Sequence, residues 1–328
     1  MAVLGEGHAA IAVSNVLLEA CSLILVWAIA HKLSGQTAAV VATLVYGLLP
    51  SGIARALVPL SENLFDPLVL AVVFLSVSRD GARIRDWIWM AVVVAAGTLT
   101  RPAGILLCFL PIVLWRRHVT LRAIAGAGIV GLLCLSPWLL RDALIPSVGP
   151  AFITTESGFN LLAGNNPKAN GGWSGVSLAI PAGLSDSDDG RLYQDAALKW
   201  ISTHPGRFIA LIPLKFMNAF DADTEMLQYW DVIGQKQNPF GAAYAWFTAV
   251  TEQYYAMVLG PGLLGLALCE RRRLGVAFVL VCLPLIVYFG MPRFHDPVMG
   301  LLSIGVGIIV TRVSDVVPRT GRSAGKSA

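Results

Sequence analysis

Nine stretches of the chain run apolar with little interruption, near residues 9–30, 37–54, 64–78, 86–100, 102–115, 123–140, 246–269, 274–291 and 297–313. Runs this long and this pure predict membrane-crossing helices. Several fall short of the about 20 residues that a straight crossing takes, so tilt or local thinning is expected of them. The stretch from Trp87 to Trp115 has Arg101 at its centre. Read as one helix it would bury an unpaired guanidinium, which is expensive, and Pro102 biases Arg101 away from helical geometry. A hairpin that turns at Arg101–Pro102 is the better prediction.

Between Arg141 and about Ala245 the pattern changes to a turn-rich segment of some hundred residues. Gly164–Asn165–Asn166–Pro167 and Gly171–Gly172–Trp173 predict tight turns there. The acidic run Ser185–Gly190 reads as a solvated turn leading into a helix over about 191–203. Phe208 to Phe220 is apolar but short and carries Lys215, which predicts a helix lying on the membrane surface. The layout is therefore an all-α polytopic membrane protein of about nine transmembrane helices. Residues 1–140 form a six-span portion, 141–245 an extracytoplasmic loop with an interfacial helix, 246–313 a three-span portion and 314–328 a cytoplasmic tail.

Composition agrees: 56% of residues are hydrophobic and 13% charged, at a mean hydropathy of +0.69. Fourteen Lys and Arg residues collect in the short connections on one side (Lys32, Arg79, Arg83, Arg85, Arg116, Arg117, Arg122, Arg271, Arg272, Arg273, Arg312, Arg319, Arg322 and Lys326). Only Arg55, Arg101 and Arg293 fall in those on the other. Cytoplasmic loops concentrate basic residues, so the second side is expected to face outward, with the C-terminus in the cytoplasm. The net charge of +4 reads as topology and contact with anionic lipid headgroups, not as nucleic-acid binding. The five cysteines all lie within apolar runs without metal-ligand spacing, and are expected to pack as small apolar residues. The chain start has no basic region before its apolar run, so no cleavable signal peptide is expected.

The unusual residues gather on the expected outer face. Glu62 follows Pro59–Leu60–Ser61; it is either a headgroup-layer carboxylate near a helix cap or a site residue. Arg101, Arg141 and Arg293 either snorkel to headgroups or bind a lipid phosphate, for which a planar guanidinium is suited. Asn165, Asn166 and Trp173 are turn residues or the lining of a polar-ligand site, with the indole as a stacking face for a sugar or lipid. His295, in Arg293–Phe294–His295–Asp296–Pro297, is a candidate acid/base group; as a lone histidine it is weak evidence for a metal, and none is expected. The other outer acids read mostly as a solvated loop, Asp221 and Asp223 least so.

The order of Asn15 with Leu33–Ser34–Gly35, Pro50, Pro59–Glu62, Thr100–Arg101–Pro102, Pro137–Arg141, Asn160–Leu161, Gly164–Pro167, His204–Pro205, Lys215 and Arg293–Pro297 resembles the GT-C membrane glycosyltransferases. These use polyprenyl-phosphate sugars and include the protein O-mannosyltransferases and the aminoarabinose transferase of lipid A. The resemblance implies inverting sugar transfer at the outer face of the inner membrane to a lipid, glycan or protein acceptor. It casts Arg101, Arg141, Lys215 and Arg293 as donor-phosphate ligands and Asn165, Asn166, Trp173 and His295 as sugar or acceptor contacts. No cofactor is implied with certainty, and a divalent cation is left open. The class places its catalytic Asp on a loop after a first span that here would precede Met1, leaving Glu62 as a weak stand-in. A chain read as lacking that loop also fits a non-catalytic degenerate relative or structural membrane protein. A lipid-linked sugar transporter, centred on Glu19, ranks below both.

Overall fold

A computed structural model describes residues 7–56, 58–225, 227, 243–269 and 273–316, and all regular structure among them is helical. In chain order the helices are α1 (His8–Gly47), α2 (Pro50–Arg55), α3 (Glu62–Ser78), α4 (Ile84–Thr100), α5 (Phe109–Leu114), α6 (Leu121–Leu144), α7 (Ser157–Gly164), α8 (Asp186–Thr203), α9 (Pro205–Phe220), α10 (Tyr244–Leu268), α11 (Arg273–Cys282), α12 (Pro284–Val287) and α13 (Asp296–Val316). Short 3-10 turns at Pro102–Cys108, Arg116–His118 and Pro292–His295 complete them.

α1 is two antiparallel arms. Gly35 takes φ +82°, a conformation open chiefly to glycine, and the chain doubles back there. The second arm and the start of α2 then lie along the first, so Gly47 meets Leu23 and Gly52 meets Glu19. The expected break between 9–30 and 37–54 is thus a tight reversal. A second reversal sits at Arg101, whose extended backbone (φ −146°, ψ 128°) ends α4. Gly104 then packs on the backbone of Gly97 and Thr98, and the Trp87 and Trp115 rings close the far end edge to face, 5.4 Å apart. The hairpin predicted from the cost of burying Arg101 is the arrangement found.

α13 is the central helix. It packs against both arms of α1, against α3 and against α10. Gly305 touches the backbone of Gly262, and Gly265 that of Gly305, so α10 and α13 approach at backbone distance. Small residues at such crossings are how helices associate where lipid tails remove the hydrophobic drive. Val26, Ile29, Val69, Val73, Leu301, Leu302 and Ile304 fill the core around this contact.

Helices long and apolar enough to cross a membrane cover Ala9–Gly47, Leu121–Leu144 and Pro292–Ser314; Pro102–Leu114 and Arg273–Val287 are shorter apolar helices. Among the described residues the fold is all-helical and consistent with a membrane protein. The expected run 274–291 is broken between α11 and α12.

The loop differs from its expected form at one end. α8 begins at Asp186, so the acids read as a turn form the first helical turn. Ser185 caps it, its Oγ accepting from the Asp188 N–H at 3.3 Å, and carboxylates near a helix N-terminus are favourable. Of the expected inner cations, Arg271 and Arg272 and those of the tail beyond 316 lie outside the described residues.

Candidate functional site

One end of the bundle gathers largely buried charge from several separate segments. α2 ends in Arg55, a favourable place for a cation because helix C-termini are partially negative. α3 carries Glu62 in its first turn and Asp66 four residues further on, and so on the same face. The α4 reversal supplies Arg101. The Pro292–His295 turn supplies Arg293 and His295, and α13 starts with Asp296. The segment after α9 supplies Asp223 and Glu225.

These groups form two linked clusters. In the first, Arg55 contacts Asp66, Asp296 at 3.3 Å and Glu19 at 3.4 Å. In the second, Glu62 receives Arg101 at 2.7 Å and lies 3.8 Å from Arg293. Arg293 in turn lies 3.7 Å from Glu225, whose other oxygen accepts the Arg293 backbone N–H at 3.1 Å. Glu62 is 2% exposed, so its charge is sustained by the guanidiniums beside it. The Arg101 guanidinium also sits 5.2 Å from the Phe294 ring centre and 5.9 Å from that of Phe65. Paired and stacked, it is held in one orientation.

His295 joins the clusters. Its Nδ1 lies 2.7 Å from the Ala219 carbonyl and its Nε2 3.1 Å from Asp223 Oδ1, while the ring stacks between Tyr255 and Phe220. Asp223, His295 and Asp296 each present a ligand atom within 4.8 Å of the others, a group able to hold a metal ion. Asp223 and Glu225 are buried, so the solvated-loop reading of these two acids does not hold. They are tied down by His295 and Arg293, partners some seventy residues away in sequence.

Beside Arg101 opens a cavity of about 660 Å³. Phe65, Ile105, Leu106, Leu283, Leu285, Ile286, Val287, Phe289 and Phe294 line it, with Thr154, Ser157 and Asn160 as its polar spots and Arg101 as the cation of its wall.

The other sequence candidates go elsewhere. Lys215 is fully buried and donates to Asn165 Oδ1 at 2.8 Å and to the Val287 and Ile286 carbonyls at 3.1 and 3.3 Å. Burial pushes its amine down to about 8. Gly290 packs against the Lys215 carbonyl so closely that a side chain there would collide with it. Asn165 donates to the Leu161 and Val287 carbonyls, and Asn166 to those of Leu162 and Ala163 and to Ser174. These groups tie α7, α9 and α12 together behind the cavity wall. Arg141 pairs with Asp142 at 2.8 Å and lies over Trp138, half exposed, and Trp173 is exposed as well. The structure brings Glu62, Arg101, Arg293 and His295 together; it does not bring Arg141, Asn165, Asn166 or Trp173 to them.

Sequence reasoning missed Asp66, Asp296 and Arg55 as site members. A carboxylate inside the apolar run 64–78, four residues after Glu62, was the available signal, since a charge there demands a partner.

No curated protein and no solved structure matches the chain. Residues 1–140 match the family model described as dolichyl-phosphate-mannose-protein mannosyltransferase. That stretch includes Arg55, Glu62, Asp66 and Arg101, and ends before Arg293 and His295. The matched stretch is somewhat less than half of the chain, so the similarity to that family is carried by the N-terminal portion.

Proposed function

We propose that the protein transfers a sugar, with inversion, from a polyprenyl-phosphate donor to a cell-envelope acceptor at the outer face of the membrane. The carrying observation is the apolar cavity with Arg101 at its wall. A polyprenyl chain needs an apolar trough, and its phosphate needs a cation where trough meets polar site. Arg101, fixed by Glu62, Phe294 and Phe65, offers a guanidinium already oriented, so little conformational entropy is lost when phosphate arrives. Arg293, beside the same carboxylate, adds a second positive charge.

In the transfer, an acceptor hydroxyl oxygen attacks the anomeric carbon while the bond to the phosphate oxygen breaks and its electron pair leaves with the phosphate, which takes up the proton the hydroxyl gives up. Negative charge grows on that leaving group, and preorganised cations stabilise it more than the ground state. Glu62, held between guanidiniums, is suited to fixing them rather than to taking the acceptor proton.

The test is binding of radiolabelled polyprenyl phosphate to the full chain in lipid nanodiscs, followed by transfer from polyprenyl-phosphate mannose. Arg101→Gln is expected to weaken binding by about 10–150-fold, the worth of a hydrogen bond to a charged group. Arg141→Gln is expected to leave it nearly unchanged. Equal binding by wild type and Arg101→Gln would sink the reading. Tight binding without transfer to any acceptor would favour a non-catalytic relative that holds the lipid.

A further inference from the structure

We propose that Asp223, His295 and Asp296 form a binding site for one divalent transition-metal cation of the zinc or manganese class. The first argument is a tautomer. The Ala219 carbonyl, 2.7 Å from His295 Nδ1, can only accept, so Nδ1 carries a hydrogen. On a neutral ring Nε2 then presents its lone pair to Asp223 Oδ1 at 3.1 Å. Two lone pairs cannot share that gap, so it holds either a proton on Nε2 or a metal cation, and the next two observations weigh toward the metal.

Second, Asp223 Oδ2 is buried without a hydrogen-bond partner, on a side chain 4% exposed. An unpaired buried carboxylate oxygen is costly unless something else compensates it. Third, the charge around it does not balance. Glu19, Asp66, Asp296, Glu62, Glu225 and Asp223 face the three guanidiniums of Arg55, Arg101 and Arg293 among the described residues. A divalent cation offsets most of that excess.

One pair of ligand atoms already has the spacing a bound ion needs, and the three lie within 4.8 Å, so Asp296 would close in on binding. Bonds of about 2.1 Å to nitrogen and oxygen put neighbouring ligand atoms roughly 3.0–3.4 Å apart, and the Nε2–Oδ1 gap falls in that window. A ligating histidine ordinarily donates its other ring N–H to a carbonyl or carboxylate, as His295 does to Ala219. Imidazole with two carboxylates favours zinc, manganese or cobalt over the all-oxygen shells of calcium and magnesium. Phe220 and Tyr255, stacked on the ring, hold it in plane.

The site is argued from its own geometry and goes beyond the transfer reading. The test is cobalt(II) titration of the chelator-stripped full chain in detergent, followed by its visible ligand-field absorption and by metal analysis, with neither donor nor acceptor present. Wild type is expected to take up one cobalt per chain, displaced by zinc. Asp223→Asn and His295→Gln, which keep side-chain size, are expected to weaken uptake by at least about 10–100-fold. Uptake unchanged in Asp223→Asn would overturn the site even if His295→Gln fails to fold. No uptake by wild type would leave an imidazolium–carboxylate pair and also overturn it. Neither result depends on polyprenyl-phosphate binding, so the two readings fail separately.

Discussion

The two ends of the helical bundle both collect charge, and they do so in opposite ways. At the end just described the charges are buried, acid-rich and paired across segments far apart in sequence. At the other end lie Lys32, Arg79, Arg83, Arg85 and Arg273, with Asp80 and Asp86, around an open groove of about 680 Å³. Arg83 and Arg85 are exposed there, and Arg79 meets Asp86 only seven residues away at 2.9 Å. One end spends folding energy to hold ions out of water; the other leaves most of them hydrated at little cost, with Asp86 alone of its named charges buried. Charge left at an open surface can stay wet and local. Charge that is assembled from distant segments and desolvated serves something more exacting.

The largest effect that would break this contrast lies at Arg55. Arg55→Met strands Asp66, Asp296 and Glu19, and is expected to cost about 3–5 kcal/mol, seen as a lower thermal unfolding midpoint. Adding Asp66→Asn should recover part of the loss; an Arg55→Met protein as stable as wild type would dissolve the distinction between the two ends.

Lys215 sharpens it from outside both, as a buried cation with neutral acceptors in place of carboxylates. Its amine is pushed down to about 8 from 10.5, so unfolding takes up a proton between those values. Stability should therefore rise with pH across that window, by at most about 3 kcal/mol, and Lys215→Met should lack the rise. A flat difference between the two proteins from pH 8 to 10.5 would show Lys215 titrating normally.

Smaller in energy, but closest to function, is the loss of polyprenyl-phosphate binding in Arg101→Gln, about 1.5–3 kcal/mol. Smallest is Arg83→Gln at the wet end, expected within about 0.5 kcal/mol in stability and without effect on lipid binding. A large effect there would mean the open groove is more than a topological signal.

What could be read from the sequence follows from what local chemistry dictates. The reversal at Arg101–Pro102 was legible because a proline and a buried charge are local and expensive. The first reversal was legible only as a short connection carrying Lys32 between two apolar runs. Lys215 and Asn165 stood out as unusual residues, yet their mutual hydrogen bond, fifty residues apart, left no trace in spacing. Asp66 was hidden inside an apolar run, and Asp223 within an acidic stretch that composition makes look solvated. The helix over Asp186–Thr203 started earlier than expected because acids that discourage a helix interior favour its first turn. In each case the missing knowledge was the partner, and partners are a property of the fold.

The long sequence distance inside the Arg55 cluster bears on how the protein is made. Glu19, Arg55 and Asp66 leave the ribosome early, whereas Asp296 follows some 230 residues later. At cellular translation speeds that gap is roughly 10–50 s. Throughout it, the nascent chain carries a guanidinium and two carboxylates between apolar segments entering the bilayer. Because those three can pair among themselves, the half-made protein has its own counter-ions while it waits, and the last helix arrives to complete a cluster rather than to rescue one.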